Sequence, residues 1–225
     1  MAVDALAPPP PVREPGSPPR PPREGDGGGG DGDGGGGRPG GSGPPVSPGK
    51  LGVLVFCVFV TMLFAGFLSV YVIVRGGAAT WPPPGFPPLP AGLWVSTVLI
   101  VASSACLVAA DRAARRGRLL RCRHALALTV GLGVAFLATQ AWLWGDCVLH
   151  GLRVALSQYG ALFFSMTGLH ALHVLGGLVV LAYAWIAALR ASDTRALRTR
   201  IELTGLYWHC VGLIWVALFV ALYLA

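Results

Sequence analysis

Hydrophobic and polar positions divide this chain sharply. Residues 1–49 are Pro-rich, then Gly-rich and charged, with no apolar periodicity. Such a segment cannot bury enough surface to offset its ordering entropy, so it is expected to be disordered. From Leu51 onward come five apolar runs, at about 51–74, 92–110, 124–144, 158–189 and 202–224. Each is long enough to cross a hydrocarbon core of about 30 Å as a helix. The pattern predicts an all-α fold. Residues 50–225 form an integral membrane bundle of five transmembrane helices, behind the disordered Pro/Gly-rich tail. The first residues carry no secretory-signal pattern.

The connections set the orientation. Between the first two runs lies Trp81-Pro82-Pro83-Pro84-Gly85-Phe86-Pro87-Pro88-Leu89-Pro90. Its prolines exclude helix and favour a stiff, extended connector. Trp81 stands where an interfacial aromatic belongs. The loop at 111–123 carries Arg112, Arg115, Arg116, Arg118, Arg121 and Arg123, and the loop at 190–201 carries Arg190, Arg195, Arg198 and Arg200. On the opposite side the Pro-rich connector has Arg75 and the loop at 146–157 has Arg153. The positive-inside rule then puts the N-terminal tail and both basic loops in the cytoplasm and the C-terminus outside. The fourth run exceeds a minimal span, which implies tilt or protrusion.

Composition changes this picture little. The net charge of +7 is concentrated in the short loops, so it signals topology and not a nucleic-acid surface. No two of the five cysteines form a CxxC pair, and Cys57, Cys106 and Cys210 fall inside apolar runs. Neither a disulfide framework nor a zinc site is supported.

The chemistry-bearing residues lie deep in the fourth and fifth runs. His170 and His173 stand three apart within Gly168-Leu169-His170-Ala171-Leu172-His173-Val174-Leu175-Gly176-Gly177. Imidazole is costly in hydrocarbon, so both mark a candidate functional site. On a helix their rings lean to one side. The small residues at 168, 171, 176 and 177 admit a neighbouring helix. His209 follows in Tyr207-Trp208-His209, and Glu202, His209 and Gly212 share a face of the fifth helix.

Three histidines raise the possibility of a metal site, because His is a common metal ligand. Depth opposes a shared one. His209 lies nine residues past Arg200, about 13 Å along a helix, and His173 lies 17 residues from Arg190, about 25 Å. Interhelical hydrogen bonding by each ring is the plainer reading. For Glu202 the plain reading is a side chain snorkelling at the interface.

Taken in order, these pieces resemble subunit III of the haem–copper terminal oxidases, the cytochrome c oxidase family. Lys50-Leu51-Gly52 opens the first run, with Met62-x-Phe64-Ala65-Gly66 inside it. Trp81-Pro82-Pro83-Pro84-Gly85, Pro88-Leu89, Ser103-Ser104 and Gln140-Ala141 follow. Thr167-Gly168-Leu169-His170-Ala171-Leu172-His173-Val174 is similar to the family's T-G-F-H-G-L-H-V. Glu202 with Tyr207-Trp208-His209-x-Val211-x-x-x-Trp215 is similar to its E-x-x-x-x-Y-W-H-F-V-D-x-x-W. The match covers about 51–225 and looks like the five-span bacterial form.

The resemblance implies a non-catalytic subunit of the bacterial plasma membrane, working in aerobic electron transport. It implies no cofactor of the chain's own, with haem and copper in the partner catalytic subunits I and II. It also implies bound phospholipid and a role in sustaining proton uptake. By the same resemblance His170, His173, Glu202, Tyr207, Trp208, His209, Trp81 and Gln140 are helix or lipid contacts. The accessory subunit of a nitric oxide reductase shares the plan and stays an alternative, as does a free-standing membrane metalloenzyme using His170 and His173. Three family acids are missing: they fall at Val60, near Leu143 and at Gly212. Without the last, His209 is expected to be a neutral ring sharing one hydrogen bond with the fourth helix or a lipid.

Overall fold

The computed structural model describes residues 47–80, 92–149 and 158–224. Five α-helices run through them in order: α1 Pro48–Gly76, α2 Gly92–Arg115, α3 Leu119–Leu149, α4 Gln158–Arg190 and α5 Arg195–Leu224. No strand occurs among the described residues. The predicted five-helix architecture is present, and every helix is long and apolar enough to cross a membrane. Hydrocarbon offers backbone groups no water, so each apolar run must satisfy its own N–H and C=O groups as a helix. The reading of residues 1–46 as a tail, the Pro-rich connector with Trp81 and the loop at 150–157 lie outside the described residues.

Four helices overrun their predicted ends. α1 begins at Pro48, where proline's fixed φ and missing N–H suit a first helical position. α2 continues to Arg115, α3 starts at Leu119 and runs to Leu149, and α5 starts at Arg195. Hydropathy reports the thickness of the hydrocarbon, whereas Arg, Ala and Leu flanks are good helix formers and carry the helix on into water. The two basic loops therefore shrink to Arg116–Arg118 and Ala191–Thr194.

The α2–α3 turn closes with a Schellman-type cap. Gly117 adopts φ 69°, the Arg118 N–H donates to Ala113 O at 2.9 Å, and the Gly117 N–H donates to Ala114 O at 3.1 Å. Glycine is the residue that takes this left-handed conformation without a Cβ clash.

Two arginines bond carbonyls at helix ends on this side of the bundle. Arg123 on α3 donates from Nε to Ala188 O at 2.9 Å, and from Nη2 to Leu189 O at 3.2 Å and Ala191 O at 3.0 Å. Arg198 on α5 donates from Nη2 to Arg115 O at 2.9 Å. The last carbonyls of α4 and α2 have no intrahelical donor, and these guanidinium groups supply one.

α5 is the central helix. It packs against α2, α4 and α1, while α2 packs on α3 and α3 on α4. Its spanning stretch is 50% buried inside the bundle, against 17% for α1, which lies in the groove between α4 and α5. One apolar cluster fills the interior, with Phe64, Leu126, Phe136, Phe163, Trp208 and Trp215 among its members. All five cysteines are free thiols.

Candidate functional site

The three rings of Tyr207-Trp208-His209 leave α5 in three directions. Tyr207 turns toward α1 and α4. Its hydroxyl donates to His173 O at 3.0 Å, and its ring stands 5.7 Å from Phe56. Trp208 turns inward and is 1% exposed. Its Nε1–H donates to Ser103 Oγ on α2 at 2.7 Å. The indole fills a slot cut by two glycines: a Cβ at Gly133 would lie 3.0 Å from Trp208 Cη2, and one at Gly177 would lie 3.0 Å from Cε3. A single ring thus touches α2, α3 and α4. Two turns on, Trp215 repeats the bond to α2, with Nε1–H donating to Thr97 Oγ1 at 3.1 Å. Antiparallel helices place these two pairs as successive rungs.

His170 and His173 both reach Phe64, at 5.9 and 5.5 Å between ring centres, but their surroundings differ. His170 is fully buried, with Phe136 at 6.0 Å and Trp215 at 5.1 Å. Neither of its ring nitrogens has a hydrogen-bond partner, and the same holds for both amide atoms of buried Gln140. His173 is half-buried, and its Nδ1 lies 2.8 Å from Leu169 O. A carbonyl only accepts, so Nδ1 carries the proton in that bond. On α3, Trp144 Nε1–H donates to Thr167 Oγ1 at 3.2 Å, which binds the turn preceding His170 to its neighbour.

Glu202 lies at the rim, paired with Lys50 Nζ at 2.7 Å. The pair joins the start of α1 to α5, and at about 40% exposure on both sides its stability contribution is below about 1 kcal/mol. His209 is half-buried and borders two neighbouring hollows between α2 and α5. It faces α2, not α4, so of the two expected partners, the fourth helix and a lipid, the fourth helix does not bond it. One helical step of about 100° separates its direction from that of Trp208, and that step carries it out of the core.

The missing acids are replaced by packing. Val60 and Leu143 are buried, and Leu143 Cδ2 sits within van der Waals reach of Gly92, where a Cβ would have no room. Gly212 lies against Ser104 and Ile100. Of the small residues around the histidines, Gly177 makes a close approach, whereas Gly168 and Gly176 face open space. Among the described residues no three His, Cys, Asp or Glu side chains gather into a set that could hold a metal ion. His209 borders the α2–α5 hollows, whereas His170 and His173 pack on Phe64.

Sequence reasoning missed Thr97, Phe64 and Phe136 as partners of the tryptophans and His170. The signal was faint but present: Trp208 and Trp215 repeat at seven residues, opposite hydroxyl residues six apart on α2.

The matched region coincides with this bundle. Residues 41–225 fit the family described as cytochrome c oxidase subunit III. The chain belongs to that family. A probable cytochrome c oxidase subunit 3 of Mycobacterium tuberculosis is 33% identical over 179 residues, covering 77% of this chain and 86% of the relative. Cytochrome c oxidase subunit 3 of Corynebacterium diphtheriae is 31% identical over 177 residues, with the same coverage. That of Thermostichus vulcanus is 28% identical over 180 residues. The resemblance carried by the sequence motifs is therefore upheld. This is a terminal oxidase subunit III, an integral membrane protein that belongs in a complex with other oxidase subunits.

Proposed function

We propose that this subunit III is a non-catalytic scaffold of a bacterial cytochrome c oxidase. It braces catalytic subunit I, next to subunit II, within the plasma membrane, and it helps sustain proton uptake during turnover. The haem and copper chemistry belongs to those partner subunits. One observation carries the reading: the side chains of the family motifs are used to tie helix to helix. Trp208 to Ser103, Trp215 to Thr97, Trp144 to Thr167 and Tyr207 to His173 O each cross between helices. Bonds of this kind fix a bundle's shape, which is what a bracing subunit requires. The relatives' names favour an oxidase partner over a nitric oxide reductase.

The apolar hollow between α1, α4 and α5 supports the lipid role. Gly52, Val53, Phe56, Gly176, Val180, Leu203, Thr204 and Tyr207 line about 530 Å³ open to the bilayer side. Phospholipid acyl chains match that lining in chemistry.

A tagged chain purified from membranes in mild detergent is expected to bring down a haem–copper catalytic subunit. Oxidase prepared without it should lose oxygen turnover faster under continuous activity. A chain that purifies free of any haem protein would overturn this function. Orientation is tested separately. Reporter fusions after Arg118 and Arg195 should read cytoplasmic, and fusions after Phe86 and at the C-terminus should read external. A cytoplasmic C-terminus contradicts the orientation.

A further inference from the structure

Between α2 and α5 a furrow runs along the outside of the bundle. Its cytoplasmic half, about 340 Å³, is lined by Lys50, Asp111, Arg115 and Glu202 at the mouth, by Leu107 and Gly205 deeper in, and it ends at His209. Its upper half, about 240 Å³, continues from His209 past Ser104 and Gly212 to Val216. Glu202 to Val216 is 14 residues, about 21 Å of helix, or some two-thirds of a hydrocarbon core. Gly212 keeps the upper half open, since any side chain there would project over Ser104 and Ile100. Leu213 and Val101 stand on its walls, 70% and 53% exposed.

The two halves meet at an imidazole without a partner. Among the described residues nothing hydrogen-bonds His209, although Trp208 beside it and Tyr207 before that are both bonded. The ring lies seven residues, about 10 Å, deeper than the rim carboxylate of Glu202. A half-buried polar ring that opens on a furrow at that depth gains from a donor or acceptor there. Acyl chains have neither, and lipid headgroups stay at the level of Glu202. A transmembrane helix can bring a hydroxyl, amide or carboxyl side chain to that depth, and a furrow floored by glycines lets its backbone come close.

We propose that the α2–α5 furrow seats a transmembrane helix of another oxidase subunit, and that a polar side chain of that helix hydrogen-bonds His209. This inference rests on the assignment to an oxidase complex. It adds which face of the bundle meets a partner and what the partner must present.

The test uses the whole oxidase purified from its own membranes. A photo-reactive benzoylphenylalanine is placed at Leu213 and, in a second preparation, at Val101. Illumination is expected to join the chain covalently to one other subunit, at a peptide within a transmembrane segment. His209→Leu should lower that yield and the retention of the chain in the complex by roughly tenfold, the worth of one interhelical hydrogen bond. His209→Gln keeps a donor and an acceptor and should largely restore both. The helical fold of each variant is checked by circular dichroism of the isolated chain. An intact complex whose two probes join only lipid overturns the furrow proposal and leaves the subunit assignment standing. Equal retention of the Gln and Leu variants also overturns it. A chain absent from the purified oxidase would remove the assignment itself, and the proposal with it.

Discussion

Trp208→Ala is expected to be the most damaging single truncation in this bundle. The indole is one of two fully buried tryptophans that each touch three other helices, and of the two it is the one seated against glycines on α3 and α4. In a bilayer the separated helices are already in an apolar solvent, so the usual gain from leaving water is absent. What disappears is packing, together with one bond between helices. The cavity left by an indole costs about 3 kcal/mol when its walls cannot close. Here the walls are glycines on two helices, Gly133 and Gly177, with no side chains to fall inward. Losing the bond to Ser103 adds about 1 kcal/mol. The variant should denature at a markedly lower temperature in detergent and be depleted from the assembled oxidase. Trp208→Phe should lie between it and the wild type. A Trp208→Ala chain as heat-resistant as wild type would show that Trp208 does not hold the helices together.

Neighbouring glycines should respond oppositely to the same change. Gly177→Ala places a methyl 2.9 Å from Tyr207 Cε1 and 3.0 Å from Trp208 Cε3. Two anchored rings must move, at a cost of about 1–3 kcal/mol. Gly176→Ala meets nothing within 4 Å, and alanine is the better helix former by about 1 kcal/mol. It should be neutral or slightly stabilising. The check is the thermal midpoint of the two chains side by side, followed by the pair Gly177→Ala with Trp208→Phe. A smaller ring should relieve part of the clash, so the two changes should be less than additive. Equal midpoints for the two alanine variants would rule out the tight slot.

These glycines also show how much of the bundle is legible in the sequence. The runs of apolar residues mark five spans because the bilayer forces each into a helix. They misplace the ends because Arg121, Arg123, Arg198 and Arg200 are as content in a helix as outside one. The motif residues point to the right helices, but a motif does not give rotation about the helix axis. His170, His173 and His209 read as one group in sequence. In the bundle one is enclosed by aromatic rings, one bonds its own helix, and one turns outward toward α2. A difference of one residue decides whether a ring enters the core, as Trp208 and His209 demonstrate. Gly176 and Gly177 are the same lesson in miniature. The acids absent at Val60 and Leu143 were legible, yet the close fit of Leu143 against Gly92 depends on which helices are neighbours, and that is set by all five together.

Arg123 answers to two different readers. In the orientation proposed above, its charge is counted with the other basic residues on the cytoplasmic side while the chain is being inserted. Once the helices are assembled, its forked guanidinium grips three carbonyls at the end of α4. Lysine would satisfy the first reader and fail the second, because a single ammonium cannot span Ala188, Leu189 and Ala191 with a planar fork. An Arg123→Lys chain would then thread correctly and still have a frayed α4. Correct threading and a sound fold are separable here, at one position, by a substitution that leaves the charge unchanged.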